Sequence, residues 1–146
     1  MYLDSAIFVK LLVRERDSAW FDRSLVGENF ESSELALAEV RSALLAKERS
    51  GHISPSERVA AIQRFHSMVA SELIRLLALN RSVLERAIEI QHACHPHIPL
   101  RTLDSLHVAT CDLHRSGTLC TTDGRMRSAC DQLGIPLLPT RMEDLT

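Results

Sequence analysis

The sequence predicts an α/β fold in which a parallel sheet is flanked by helices. Short apolar segments that fit strands alternate with longer segments that have the apolar spacing of amphipathic helices. One strand-like segment ends in Asp4 and runs directly into a helix, and another is followed by the strand-to-helix turn Thr122-Asp123-Gly124. The chain has 146 residues, enough for a substantial core, and we expect residues 1–146 to form a single domain.

Composition limits the classes of function that the chain can have. Apolar residues make up 45% of the sequence and aromatic residues 4%, which predicts an aliphatic core. The formal net charge is −2, so a bound polyanion would have to be held by a local patch or by metal ions rather than by bulk positive charge. We expect neither a signal peptide nor a membrane span, and four cysteines without C-x-x-C spacing favour reduced thiols in a cytoplasmic protein.

The first half of the chain contains four predicted helices. They cover residues 5–13, residues 17–26 with Val26 on the apolar side, a segment that starts at Ser33 or Glu34 and reaches residue 47, and residues 54–69. The third has apolar residues at positions 36, 37, 40, 43 and 44, which is helical spacing. Residues 1–4 predict a strand, residues 29–33 a strand or a loop, and residues 72–79 a buried strand or a helix.

The second half continues the alternation. Helices are predicted over residues 82–93, 102–113 and 126–133, and strands over residues 118–121 and 135–138. Thr102 is the expected N-cap of the helix over residues 102–113. The buried face of that helix is predicted to contain Leu103, Leu106, Ala109, Thr110 and Leu113. The loop before it brings together zinc-ligand residue types in a spacing that matches no common structural site, namely His92, Cys94, His95 and His97.

Four carboxylates occupy comparable places in this pattern. Asp4 ends the first strand and Asp123 lies in the turn after the strand over residues 118–121, so both fall at the carboxyl edge of the sheet. Glu39 and Asp104 lie in early helical turns that face the same edge. Each acid alone could be a helix cap or a solvated residue. Together, however, four carboxylates in a partly buried cleft would repel one another unless cations were present, which predicts one or two divalent ions such as Mg²⁺.

These acids belong to four segments that resemble motifs of PIN-domain proteins, and specifically of VapC-type toxins. The segments are Tyr2-Leu3-Asp4-Ser5, Leu37-Ala38-Glu39-Val40-Arg41, the run from Leu100 to Ala109, and Thr121-Thr122-Asp123-Gly124-Arg125. The resemblance implies a PIN-like three-layer fold whose parallel sheet has the strand order 3-2-1-4-5. It also implies an Mg²⁺- or Mn²⁺-dependent endoribonuclease that hydrolyses RNA phosphodiester bonds with metal-activated water. The catalytic and metal-binding residues would be Asp4, Glu39, Asp104 and Asp123.

The resemblance further implies the toxin of a type II toxin–antitoxin pair, with a VapB-like antitoxin and a homodimer. Such an antitoxin could place a basic side chain among the four acids. Two kinds of residue beside the motifs fit contacts to water, carboxylate or phosphate: the hydroxyls of Ser5 and of Thr121 or Thr122, and the basic residues Arg41, Arg101, Arg125, Arg127 and Lys10. Each basic residue is equally compatible with a solvent-exposed helix charge.

Three other functions remain open at this point. A non-catalytic protein-binding module would use the acids as helix caps and would need no metal. A metal-dependent phosphatase would also gather acids at strand ends, although no strand-end aspartate here begins the pattern D-x-D-x-[TV]. A metal-dependent DNA nuclease would differ from a ribonuclease in its substrate alone.

Overall fold

A computed structural model describes residues 1–145 and contains a five-stranded sheet in which all neighbouring strands are parallel. The strands are β1 (Tyr2–Leu3), β2 (Phe30–Ser33), β3 (Ile74–Leu77), β4 (Leu119–Cys120) and β5 (Leu137–Leu138). Their spatial order is β3-β2-β1-β4-β5, which confirms the order 3-2-1-4-5 and places the first strand at the centre. Because β1 is central, the residues that directly follow it lie in the middle of the carboxyl edge.

In the part of the chain that the structure describes, seven α-helices flank the sheet. They are α1 (Ser5–Leu12), α2 (Ser18–Ser24), α3 (Ala36–Arg49), α4 (Pro55–Ala70), α5 (Arg81–Cys94), α6 (Thr102–Leu113) and α7 (Gly124–Leu133). A 3₁₀ turn (Met142–Leu145) follows the last strand. Within residues 1–145, no helix has both the length and the apolar character that crossing a membrane requires.

Hydrophobic side chains are buried on both faces of the sheet. Successive residues of a strand point to opposite faces, and β1 uses this alternation: Leu3 joins one cluster and Tyr2 the other. The Leu3 cluster contains side chains of α1 to α4, among them Phe8, Phe21, Val40 and Phe65. The Tyr2 cluster contains side chains of α5 to α7, among them Val83, Ile90, Val108 and Ala129. The fold therefore has the three predicted layers.

Polar residues at the helix starts explain where several helices begin. Asp4 accepts a hydrogen bond from the Ile7 N–H at α1, and Asn80 accepts one from the Val83 N–H at α5. Ser54 forms a reciprocal capping box with Glu57 at the start of α4. Such caps satisfy N–H groups that have no partner inside the helix.

The structure decides two open assignments and corrects several boundaries. Residues 30–33 and 74–77 are strands, paired with each other from Phe30–Ile74 to Ser33–Leu77. Helix α3 begins at Ala36 rather than at Ser33 or Glu34, because Ser33 belongs to β2. The prediction that Thr102 caps α6 is wrong. Thr102 is the first helical residue, and the Asp104 carboxylate accepts the Arg101 N–H at this helix start.

Some predicted buried faces are also wrong at the helix ends. Leu103 and Leu113 are 47% and 43% exposed, because the buried part of α6 is the continuous central run from Asp104 to Cys111. A helix that packs against the sheet and two neighbouring helices buries more than one narrow stripe, while its ends project beyond them. Leu37 of α3 is likewise exposed, and Val26 lies beyond the end of α2 with 77% exposure.

The four cysteines are free and buried. Burial raises the pKa of the Cys111 and Cys130 thiols to about 12, so both stay protonated at neutral pH. In the histidine-rich segment, Cys94 is buried at the end of α5, whereas His92, His95 and His97 are exposed. The cysteine is therefore separated by burial from the three histidines.

An ion-pair network joins α1, α3 and the segment before α2. Lys10 Nζ lies 2.9 Å from Glu15 Oε2 and 2.9 Å from Asp17 Oδ1, and Lys47 Nζ lies 2.7 Å from Glu15 Oε1. Partial burial acts to raise the pKa of Glu15, but the two ammonium groups outweigh it and lower this pKa below its usual range. Lys10, one of the basic residues predicted as a phosphate contact, is thus engaged in ion pairs and does not line the acidic pocket formed by Asp4, Glu39, Asp104 and Asp123.

Replacing Glu15 with Gln is expected to reduce the free energy of unfolding at pH 7 by about 1 kcal/mol, because two cations lose their shared partner. The pKa of Glu15 is lowered in the folded chain, so the stabilisation is present above the ordinary pKa and is lost as the pH falls through the lowered one. Denaturant unfolding across this pH range tests both statements. The exposed Glu28→Gln variant is the control, and an equal effect of both substitutions would contradict the prediction.

Candidate active site

The structure places the four predicted acids around one cleft at the carboxyl edge of the sheet. Asp4 follows β1, Asp123 follows β4, and Glu39 and Asp104 lie in the first turns of α3 and α6. This acidic cleft has a volume of about 160 Å³, and its lining also includes Ser5, Ala6, Arg101, His107 and Met126. Residues spread from position 4 to position 123 thus meet because parallel strands end at a common edge.

Asp4 is the most deeply buried of the four acids. Its Oδ1 accepts the Ile7 N–H at 2.9 Å, and its Oδ2 accepts the Thr121 hydroxyl. The Asp4 N–H donates to the Cys120 carbonyl at 3.2 Å, which ties the residue to the end of β4. Burial raises the pKa of Asp4 above its usual value, although these donors and His107 act in the opposite direction. The fold therefore keeps a carboxylate where its charge is costly.

Arg101 connects the two acids on the other side of the cleft. Its Nε donates to Asp104 Oδ2 at 2.7 Å, and its Nη2 donates to Asp104 Oδ1 at 3.1 Å. The same Nη2 donates to Asp123 Oδ2 at 3.0 Å. Asp123 Oδ1 meanwhile accepts two N–H groups at the start of α7. The guanidinium thus partly neutralises two carboxylates, while its side chain stays 60% exposed.

Glu39 is held by Ser5 and His107. The Ser5 hydroxyl donates to Glu39 Oε2 at 2.6 Å, and His107 Nε2 lies 2.6 Å from the same oxygen. Partial burial acts to raise the pKa of Glu39, but His107, Ser5 and the charge of Arg101 outweigh it and lower this pKa. Glu39 is therefore ionised across the neutral range.

His107 is a cleft residue whose role was not predicted from the sequence. It lies three residues after Asp104 on α6, and residues at that spacing share a helix face, so this signal could have identified it. Its Nδ1 lies 2.8 Å from the hydroxyl of Tyr2, in the Tyr2 cluster. The ring thus joins the core to the cleft.

The cleft is an acidic cluster with a resident cationic side chain rather than a closed ligand shell. Within residues 1–145, no three His, Cys, Asp or Glu side chains converge closely enough to form a ready metal-binding group. Arg101 instead lies between Asp104 and Asp123. A depression of about 390 Å³ continues from the cleft and is lined by Glu39, Arg101, Thr102, Leu103 and Asp104.

The other residues predicted beside the motifs separate into two groups. Ser5 and Arg101 line the cleft. The hydroxyl that contacts an acid belongs to Thr121, the neighbour of Thr122. Outside the lining, Arg41 and Arg125 are exposed, and Arg127 donates to the carbonyls of Thr121 and Thr140. Arg127 therefore supports the end of β4.

Comparisons with known proteins find a matching family, a similar sequence and a similar fold. The PIN domain family model matches residues 1–132. The chain is similar to Ribonuclease VapC46 of Mycobacterium tuberculosis strain H37Rv, with 36% identity over 144 residues that cover 94% of this chain and 95% of that protein. The fold is similar to a crystal structure of FitAcB from Neisseria gonorrhoeae, with a TM-score of 0.69 and 19% identity, covering 93% of this chain and 94% of that chain.

Replacing Asp4 with Asn is expected to raise the free energy of unfolding at pH 7 by about 1 kcal/mol. The amide oxygen can still accept the Ile7 N–H, while the buried charge and its repulsion with Asp123 are removed. Asp4→Ala, the matched variant, also loses the helix cap and is expected to be less stable than Asp4→Asn by about 1 kcal/mol. Denaturant unfolding measures both, and an Asn variant as unstable as the Ala variant would contradict the assignment.

Proposed function

The chain belongs to the PIN domain family, and we propose that it is the VapC-type toxin of a type II toxin–antitoxin pair, acting as an Mg²⁺- or Mn²⁺-dependent endoribonuclease. Two findings support the activity: the family match over residues 1–132, and 36% identity across nearly the full length of a protein named a ribonuclease. The proposal takes residues 1–146 as a single domain of this family.

The observation that carries this proposal is the gathering of four carboxylates in one cleft. Asp4, Glu39, Asp104 and Asp123 come from four separate segments, so local helix capping does not account for their meeting. Concentrated negative charge at the carboxyl edge of the sheet raises the cost of the folded state unless a cation compensates it. A site that keeps this charge is suited to a function that uses it.

The donor set fits a hard divalent cation. All four acids offer oxygen ligands, and magnesium needs one or two carboxylates because it keeps several of its waters. Arg101 already supplies positive charge between Asp104 and Asp123, so this side of the cleft accommodates a cation. Asp4, Asp104 and Asp123 would hold the metal, with Glu39 completing the set. When bound, the metal supplies an activated water and stabilises the charge that develops on the phosphate.

The protein's own residues orient the reacting groups. Ile7 and Thr121 fix the Asp4 carboxylate, and the start of α7 fixes Asp123. These contacts hold both carboxylates at the edge of the cleft before a cation binds. Arg101 presents several donors in a planar fork that suits a phosphate as well as a carboxylate. In this role it would turn from Asp104 toward the RNA backbone.

RNA and the antitoxin would approach the same side of the protein. The depression beside the acidic cleft extends along Arg101, Thr102 and Leu103 and gives room for a nucleotide next to the cleaved bond. Arg41 and Arg125 are proposed to contact flanking phosphates from outside the cleft. The contacts of Arg101 with two acids indicate that a basic side chain of a VapB-like antitoxin would also suit the cleft. The active form is proposed to be a homodimer.

The variants Asp104→Asn and Asp123→Asn are expected to lower Mg²⁺-dependent RNA cleavage by at least about 100-fold, because each removes a carboxylate from the cleft. Purified chain without antitoxin is incubated with total cellular RNA in Mg²⁺ or in EDTA, beside single-stranded DNA of matched length. Asp131→Asn removes one exposed carboxylate of α7 and is expected to cleave normally. Cleavage in EDTA, undiminished cleavage by both site variants, or a preference for DNA would contradict the proposal.

Arg101→Gln is expected to tighten Mn²⁺ binding several-fold while it lowers the thermal stability of the metal-free chain. The substitution removes the cation that neutralises Asp104 and Asp123, so the metal no longer competes with a guanidinium. Calorimetric titration with Mn²⁺ measures the first effect and thermal unfolding the second. Arg81→Gln, at an exposed ion pair of α5, is the control. Weaker Mn²⁺ binding by Arg101→Gln than by this control would contradict the prediction.

A further inference from the structure

His107 joins the acidic cleft to the interior of the protein. It lies on α6 with 3% of its surface exposed, and its two ring nitrogens face different partners. Nδ1 lies 2.8 Å from the Tyr2 hydroxyl in the core, and Nε2 lies 2.6 Å from Glu39 Oε2 at the cleft. The Ser5 hydroxyl lies 3.3 Å from the same Nε2. A buried imidazole with both nitrogens engaged has little freedom to turn.

The Ser33 contact of Tyr2 favours one direction for these hydrogen bonds. The Ser33 backbone N–H donates to the Tyr2 hydroxyl oxygen at 3.0 Å, so that oxygen already acts as an acceptor. The hydroxyl proton is then available for His107 Nδ1, the ring nitrogen beside it. When Nδ1 accepts this proton, a neutral ring carries its own proton on Nε2. The chain of donors thus runs from Ser33 through Tyr2 and His107 to Glu39.

Glu39 receives two donors on one oxygen. The Ser5 hydroxyl and His107 Nε2 both meet Oε2, at 2.6 Å each, and Oε1 lies outside this pair of bonds. A glutamate has three side-chain torsions, and fixing one oxygen removes most of that freedom. Ser5 lies in the first turn of α1, whereas His107 is anchored through Tyr2 to the central strand and through Ser33 to β2. His107 on α6 therefore links Glu39 to two strands of the sheet.

We propose that His107 is a positioning residue that uses its Tyr2-fixed Nε2–H to orient the Glu39 carboxylate toward the divalent cation. This inference rests on the proposed metal-dependent nuclease function. Residues that orient a metal ligand through a hydrogen bond typically change metal affinity or activity about 10- to 100-fold when they are replaced. His107 itself contacts neither metal nor RNA in this role.

Two substitutions at His107 separate orientation from packing. The amide nitrogen of Gln reaches the position of Nε2 and can still donate to Glu39, whereas the shorter amide of Asn reaches the position of Nδ1 and loses Glu39. His107→Asn is expected to weaken Mn²⁺ binding and RNA cleavage about 10- to 100-fold. His107→Gln is expected to recover most of both. The exposed His66→Asn variant on α4 is the control for histidine replacement.

The Tyr2 half of the proposal has a spectroscopic test. Long-range proton–nitrogen correlation of labelled histidine in the intact chain distinguishes the protonated ring nitrogen from the bare one. The parent is expected to show the proton on Nε2 of His107. Tyr2→Phe removes the hydroxyl donor and is expected to give a mixture of tautomers together with weaker Mn²⁺ binding. A parent ring with its proton on Nδ1 would overturn the proposal.

The remaining outcomes also distinguish this inference from the proposed function. Mn²⁺ binding and cleavage by His107→Asn at parental levels would overturn the positioning role while the nuclease proposal stands. If the Gln and Asn variants lost Mn²⁺ binding and cleavage equally, with melting temperatures lowered alike, His107 would be a packing residue. This outcome would also overturn the positioning role. A parent chain that neither binds Mn²⁺ nor cleaves RNA would instead overturn the proposed function, and this inference with it.

Discussion

The repulsion among the four carboxylates is the constraint on which the rest of the site depends. Like charges in a partly buried cleft disfavour the folded state, and each acid here has its own compensation. Asp4 has a helix N-terminus and a threonine hydroxyl, and Glu39 has a serine and a histidine. Asp104 and Asp123 share one guanidinium. Three separate sets of partners thus stabilise the four acids, and a divalent cation would add positive charge to the cleft that all four line.

The parallel sheet supplies the geometry that this constraint requires. Its central strand is two residues long, and Asp4 directly follows it. Strands β2 and β4 lie on either side of β1, so the carboxyl ends of both strands lie near Asp4. Two hydrophobic clusters pack against opposite faces of the sheet. Glu39 on α3 and Asp104 on α6 therefore come from different layers. The cleft therefore lies at the junction of both layers with the sheet edge.

Much of this arrangement could be predicted from the sequence, because it depends on local patterns. A strand that ends in aspartate before a helix places Asp4 and Asp123 at the carboxyl edge, whatever the remaining contacts are. The strand order came from the resemblance to a family and not from the residues themselves. Helix ends were predicted less well. Leu103 and Leu113 fit the apolar spacing of α6, but burial at a helix end depends on how far its neighbours extend.

The parts that could not be predicted are contacts between distant positions. Tyr2, Ser33 and His107 are unremarkable as separate residues, and a chain of hydrogen bonds appears when the sheet and α6 come together. One contact of Arg101 also joins distant positions. Its position beside an acidic motif is compatible with a phosphate contact, and its contact with Asp123, across 22 positions of sequence, depends on the fold.

The distribution of the acids along the chain has a consequence for biosynthesis. Of the four acids, Asp4 is made first, whereas Asp123, which follows β4, is made last. A nascent chain that ends before Leu119 lacks the strand that pairs with one side of β1, and it also lacks the fourth carboxylate. The cleft is therefore complete once Asp123 has been translated, so products truncated before this residue carry an unfinished site. Because the first strand pairs with the fourth, the topology delays assembly of the site until translation has passed β4.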